Sequence, residues 1–208
     1  MEAVILSTHV VAGIISLVTG LMALLMRKGG IAHEGLGKIY FAAMTIIFFT
    51  GTYVSSIQSN YFLLLIGFFS YYLVFTGLRY NKVKVISNIS FIDVLTSIIF
   101  IFSFFGMYIL AFIAVMQGVY SFGIVTLVFA LIGSSLMIRD VKFYVLKHPL
   151  PHSKVWIREH IGRMVGSYIA ASTAFLVNNI HVKPEILVWL GPTALGIFLI
   201  MYFNKRYA

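Results

Sequence analysis

The 208 residues are 61% apolar and only 10% Asp, Glu, Lys or Arg, where soluble domains carry roughly 25% charged residues. A soluble fold of this size has too little interior to hide so much apolar surface, so lipid is the solvent for most of the chain. The formal charge of +9 sits in short loops between apolar runs, which excludes a nucleic-acid face, and the absence of cysteine excludes disulfides, thiolate metal sites and iron–sulfur clusters.

A spanning helix needs about 20 mostly apolar residues. In chain order the sequence predicts seven: Ala3–Met26, Ile39–Ser56, Tyr61–Leu78, Phe91–Met116, Val119–Ile138, Trp156–Val177 and Ile186–Phe203. The first lacks a basic leading region and is followed by Arg27 and Lys28 rather than small residues, so it reads as a retained helix and not a signal peptide. The sixth is the weakest, because its clean apolar part, Met164–Val177, is too short to cross and must carry His160 and Arg163 at its edge. The prediction is one all-α domain, a polytopic transmembrane bundle of seven helices covering 1–208.

Of the 15 Lys and Arg residues, all but Lys183 fall in the first, third and fifth loops, at the adjoining helix ends or in the C-terminal tail. Basic loops stay in the cytoplasm, so the N-terminus is expected outside and the C-terminus inside. The outer connections are short, which makes successive helices antiparallel neighbours. The longest connection, Arg139 to Val155, holds His148, Pro149, Pro151 and His152. Gly13, Gly20, Gly166, Ala170, Ala171 and Ala174 supply small surfaces for close helix contact.

Ionisable groups at the edge of a bilayer are functional candidates by default. Counting about 20 residues inward from the outer helix ends, at 1.5 Å per residue, places His33, Arg79, Asp93 and His160 in one layer at the inner face. His33 and His160 open similar stretches, His33-Glu-Gly-Leu-Gly-Lys-Ile-Tyr40 and His160-Ile-Gly-Arg-Met-Val-Gly-Ser-Tyr168. Helical spacing puts His33, Gly37, Tyr40 and Met44 on one face of the second helix, and His160, Met164, Ser167 and Ala171 on one face of the sixth.

Two imidazoles at equal depth suit a haem iron, with Arg79, Lys38 or Arg163 holding its propionates and Tyr40 on the same face. Alternatively His33, His160 and Asp93 hold a divalent ion such as zinc. Interfacial capping and topology setting account for the same residues equally well. Asp93, after Ser87, Asn88 and Ser90, also reads as the cap of the fourth helix or the partner of Arg79. His9 lies near the outer boundary, too far from His33 to share an ion. Its expected company is an outer polar group of Tyr53, Asn178, Asn179 and His181, with the sixth helix first.

The runs His9-Val-Val-Ala-Gly13, Gly20-Leu-Met-Ala-Leu24, Lys28-Gly-Gly-Ile-Ala-His33 and Gly37-Lys-Ile-Tyr40-Phe-Ala-Ala-Met44 resemble a bacterial membrane-protein family, catalogued as domain of unknown function 2306. The stretch from Trp156 through His160-Ile-Gly-Arg-Met164 and Ser167-Tyr168 to Asn178-Asn179 is similar to its later segment, as is Trp189-Leu-Gly-Pro192-Thr. Members usually carry Arg where this chain has Glu34, and often Arg where it has Gly166. The resemblance implies a polytopic protein of the bacterial inner membrane and brings no established activity.

Three functions follow as expectations: a haem-b electron-transfer protein using His33 and His160, a metal-dependent hydrolase acting on lipid, and a non-enzymatic carrier or accessory protein binding a small hydrophobic ligand between helices. Two protein ligands suffice for haem, whereas a hydrolytic zinc site usually takes three.

Overall fold

A computed structural model describes residues 2–150, 154–180 and 182–208. Pro151 and His152 of the long fifth connection and His181 of the expected outer polar group lie outside them. The chain folds into seven helices, and no strand occurs among the described residues. They are α1 (Glu2–Leu25), α2 (Ile31–Ile57), α3 (Tyr61–Lys82), α4 (Phe91–Met116), α5 (Tyr120–Asp140), α6 (Val155–Asn179) and α7 (Ile186–Tyr207). A 3₁₀ turn at Ile86–Asn88 precedes α4, and α5 runs on into a π-helical turn at Val141–Val145.

The main departure from the sequence expectation is the start of α2. It begins at Ile31, a turn and more before the apolar run that announces it. Hydropathy marks where a helix meets lipid, and the backbone continues to hydrogen-bond beyond that point. Gly29, at φ 74°, makes the reversal between α1 and α2 that few other residues tolerate. Lys28 closes the first helix by donating from Nζ to the carbonyls of Ala23 and Leu24. Asn60 caps α3 by accepting from the Leu63 amide, and Ser90 with Asp93 forms a capping box on α4.

Six of the seven helices are long and apolar enough to cross a membrane, α6 being the exception, and the protein is a multi-pass membrane protein. The exposed side chains of the outer helices are large and apolar, among them Phe102, Phe105 and Phe112 on α4 and Leu195, Phe198 and Met201 on α7. In water this would be an untenable surface; in lipid it is the natural one. The polarity of α6 has a structural reason. It packs on α1, α3 and α7, so protein rather than lipid surrounds much of it. α3 and α6 form the centre, with the hairpins α1–α2 and α4–α5 on either side.

Close approach depends on individual glycines. A Cβ on Gly20 of α1 would stand 2.5 Å from the Tyr168 ring of α6 and 3.1 Å from Tyr40 of α2, so three helices meet at this point. Gly13, seven residues earlier, meets nothing within 4 Å, and its expected packing role is not what the structure assigns it. Gly20→Ala should therefore lower stability by about 1–3 kcal/mol through overpacking, while Gly13→Ala should be neutral or stabilising by up to roughly 1 kcal/mol. Thermal unfolding of the two variants in the same detergent checks the pair.

Candidate functional site

The bundle has one end at which the basic loops gather, formed by the C-terminal ends of α1, α3, α5 and α7 and the N-terminal ends of α2, α4 and α6. Two helices that run the same way from this end, α2 and α6, are joined by a hydrogen bond of 2.8 Å between the hydroxyls of Tyr40 and Ser167. Their backbones do not pack closely; the Tyr40 side chain bridges the gap. Tyr40 and Ser167 are both buried.

His33 and His160 each lie seven residues before that junction, two helical turns or about 10 Å nearer the basic end. They therefore stand at equal depth on the facing sides of α2 and α6. Each ring is held from behind. His33 Nδ1 donates to the Ala23 carbonyl of α1 at 3.0 Å, and His160 Nδ1 donates to the Gly77 carbonyl of α3 at 2.8 Å. A carbonyl can only accept, so both Nδ1 atoms carry a proton, and Nε2 is the nitrogen left to bind a ligand in the neutral ring. Gly77 is also where α3 crosses α6, a Cβ there lying 3.1 Å from Arg163 Cβ and from Met164 Sδ. Lys28, in the loop beside His33, shares the Ala23 carbonyl, and partial burial holds its ammonium below the ordinary lysine pKa.

The expected anion anchors come out differently. Arg163 is fully buried and cannot reach a propionate, because its N–H groups are already taken. It donates to Asp140 at 2.7 Å and 3.2 Å, to Glu159 at 3.2 Å and to Thr76 at 3.0 Å. Asp140, itself fully buried, also accepts from the hydroxyls of Tyr72 and, at 2.8 Å, Tyr80, and Glu159 pairs with Arg139. Arg79 is likewise engaged, donating from Nε and Nη2 to the two oxygens of Asp93 and from Nη2 to Ser90. Of the three anchors only Lys38 remains exposed.

The oxygens of Asp93 are engaged within the fold. Arg79 and Ser90 take its oxygens, which is the capping and pairing role. No three His, Asp or Glu side chains converge as a divalent ion would require among the described residues.

Among the described residues, His9 makes no hydrogen bond to Tyr53, Asn178 or Asn179. His9 donates from Nδ1 to Thr50 Oγ1 of α2 at 2.9 Å, since the Thr50 hydrogen is already given to the Ile46 carbonyl. The partner is thus α2, by a residue other than Tyr53, and not α6. Asn178 and Asn179 turn back to the Ala174 and Phe175 carbonyls of their own helix, and Tyr53 is exposed. A recess of about 630 Å³ opens between α1 and α2, but it is apolar and no histidine lines it.

Asp140, Glu159, Tyr72 and Tyr80 were missed by sequence reasoning. One signal was available: Glu159 and Arg163 stand at i and i+4, the spacing of an intrahelical ion pair. Asp140 gave none, because it follows Arg139 at the end of an apolar run and reads as a loop residue. Comparison of the chain with family models, with curated proteins and with solved structures finds no match. The fold and site define a multi-pass helical membrane protein with two carbonyl-anchored histidines near a buried ion-pair network.

Removing Arg163 leaves the buried Asp140 without a cation, while Glu159 keeps only Arg139. Arg163→Met should cost about 3–5 kcal/mol, whereas Arg163→Met combined with Asp140→Leu and Glu159→Leu should recover most of that loss. Chemical or thermal unfolding in detergent reads both.

Proposed function

We propose that this protein holds a b-type haem between His33 and His160 and passes electrons across one end of the bacterial inner membrane. The observation that carries the reading is the matched pair of imidazoles. Each stands two turns from the Tyr40–Ser167 bond, each has Nδ1–H fixed on a backbone carbonyl, and each presents an Nε2 lone pair from facing helices. Anchoring of the second ring nitrogen is the usual support of a ligating histidine. The donor set suits haem: two imidazoles, each held by a backbone carbonyl, with neighbouring Glu159 turned to Arg139 and Arg163. The separation of α2 and α6, bridged by a long side chain instead of backbone contact, favours a flat group between them.

His33 and His160 would hold the group, and it would supply one-electron transfer there. The chain's own residues do the rest. Tyr40 and Ser167 close the interior side, and the Ala23 and Gly77 carbonyls set ring orientation. Lys38, just over one turn beyond His33 on α2, is exposed and would remain free for an anionic group at the surface. Purified protein should be red, with a Soret band and sharp reduced-state bands of six-coordinate iron. His33→Ala and His160→Ala should each abolish this spectrum while the helical content persists. Colourless protein from haem-replete cells would refute the proposal.

The bacterial inner membrane follows from the resemblance stated above, and the orientation from the basic loops. Reporter fusions after Gln58, Gln117 and Pro184 should read as external, and fusions after Lys82, Lys147 and Ala208 as cytoplasmic. A cytoplasmic signal at Pro184 overturns this arrangement.

A further inference from the structure

The basic end carries a second small core, separate from the histidine pair. Tyr80, Val83, Phe143 and Tyr144 are buried together, with Ile86, Ile89, Leu150 and Trp156 packed against them. They come from the end of α3, the loop before α4, the π-helical turn after α5 and the start of α6. The result is a compact platform beyond the apolar spans.

Its rim is strongly basic. Lys82, Lys84, Lys142, Lys147, Lys154 and Arg158 are all exposed, and Lys84 Nζ lies 4.0 Å over the Trp156 ring. The sequence places no Asp or Glu between 80 and 92 or between 141 and 158. The acids flanking these segments are Asp93, Asp140 and Glu159, and all three are buried against Arg79, Arg163 and Arg139. The fold thus withdraws the neighbouring carboxylates into the bundle and leaves the lysines outside. Apolar side chains stand exposed beside them: Phe91 at 79%, Leu146 at 56% and Val85 at 53%.

We propose that this platform is a binding site for anionic phospholipid. The cations meet the headgroup phosphates, and Val85, Phe91 and Leu146 enter the acyl boundary next to them. Clustered Lys and Arg at the ends of spanning helices attract acidic headgroups at about 1 kcal/mol each. The exposed apolar residues discriminate among polyanions. A soluble phosphate or a nucleic acid would satisfy the lysines and leave those side chains in water. A bilayer interface satisfies both. The site is independent of the haem reading, because its lysines and Arg158 make none of the hydrogen bonds that hold His33 and His160.

The test uses the full chain in neutral detergent. Titration with phosphatidylglycerol should raise the unfolding temperature by several degrees, and phosphatidylcholine should not. The midpoint should weaken steeply towards 1 M salt, where screening acts within about 3 Å. The variant Lys82→Gln, Lys84→Gln, Lys142→Gln should unfold at the wild-type temperature without lipid, since these side chains are exposed. Its phosphatidylglycerol affinity should fall on the order of 100-fold. Lys205→Gln with Arg206→Gln, outside the platform, should keep the response. Equal stabilisation by phosphatidylcholine, or an undiminished response of the triple variant, overturns the proposal. An equal shift with inorganic phosphate makes the site one for free anions, and a larger shift with RNA makes it a nucleic-acid surface; each of these also overturns it.

Discussion

The buried guanidinium of Arg163 is the constraint on which the basic half of the bundle depends. A cation without water must find acceptors for all its N–H groups, and an anion at the same depth must find donors. Asp140 from the end of α5 and Glu159 from α6 meet this need, and the hydroxyls of Tyr72 and Tyr80 on α3 complete the Asp140 carboxylate. Three helices are thereby tied at one height by groups that have no alternative partner in lipid. Apolar packing alone allows helices in a bilayer to slide, since lipid is as good a neighbour as another leucine. The ion-pair network removes that freedom and fixes the register of α3, α5 and α6.

The consequences reach the histidine pair. Arg163 sits one turn after His160, so the network that locks α6 also locks the imidazole. The α3 crossing at Gly77 supplies the carbonyl that holds His160 and the contact surface for Arg163 Cβ. On the other side, Gly20 lets α1 approach both Tyr40 and Tyr168, and α1 in turn offers the Ala23 carbonyl to His33. Each ring is therefore positioned by a helix other than the one that carries it. Such support pre-orients the two imidazoles, which side chains on a single helix would not provide.

Charge is sorted by the same device. Three of the six acidic residues are consumed at the basic end, inside or against the bundle, and their partners are arginines. Arginine suits this use because its planar fork satisfies a carboxylate in two places. The platform lysines remain outside with Arg158. The resulting asymmetry, with Arg79, Arg139 and Arg163 paired to carboxylates and the rim cations exposed, gives that end of the molecule a positive face.

Composition and periodicity were enough for the helices, because each spanning segment must satisfy its own backbone and present apolar side chains to lipid, and both demands are local. The equal depth of His33 and His160 was legible for the same reason, since helical rise converts residue number into height. The shared faces with Tyr40 and Ser167 followed from helical spacing. The Arg79–Asp93 pair was readable as one of two alternatives. What the tertiary structure alone decided was which polar groups spend themselves on one another. Arg163 looked available for a ligand until Asp140 and Glu159 were seen around it, and His9 looked towards α6 until Thr50 appeared beside it. Those outcomes depend on the rotation of each helix about its axis and on which neighbour it meets. Rotation and adjacency are set by the packing of the whole bundle at contacts such as Gly20 and Gly77, and no local stretch of sequence contains them.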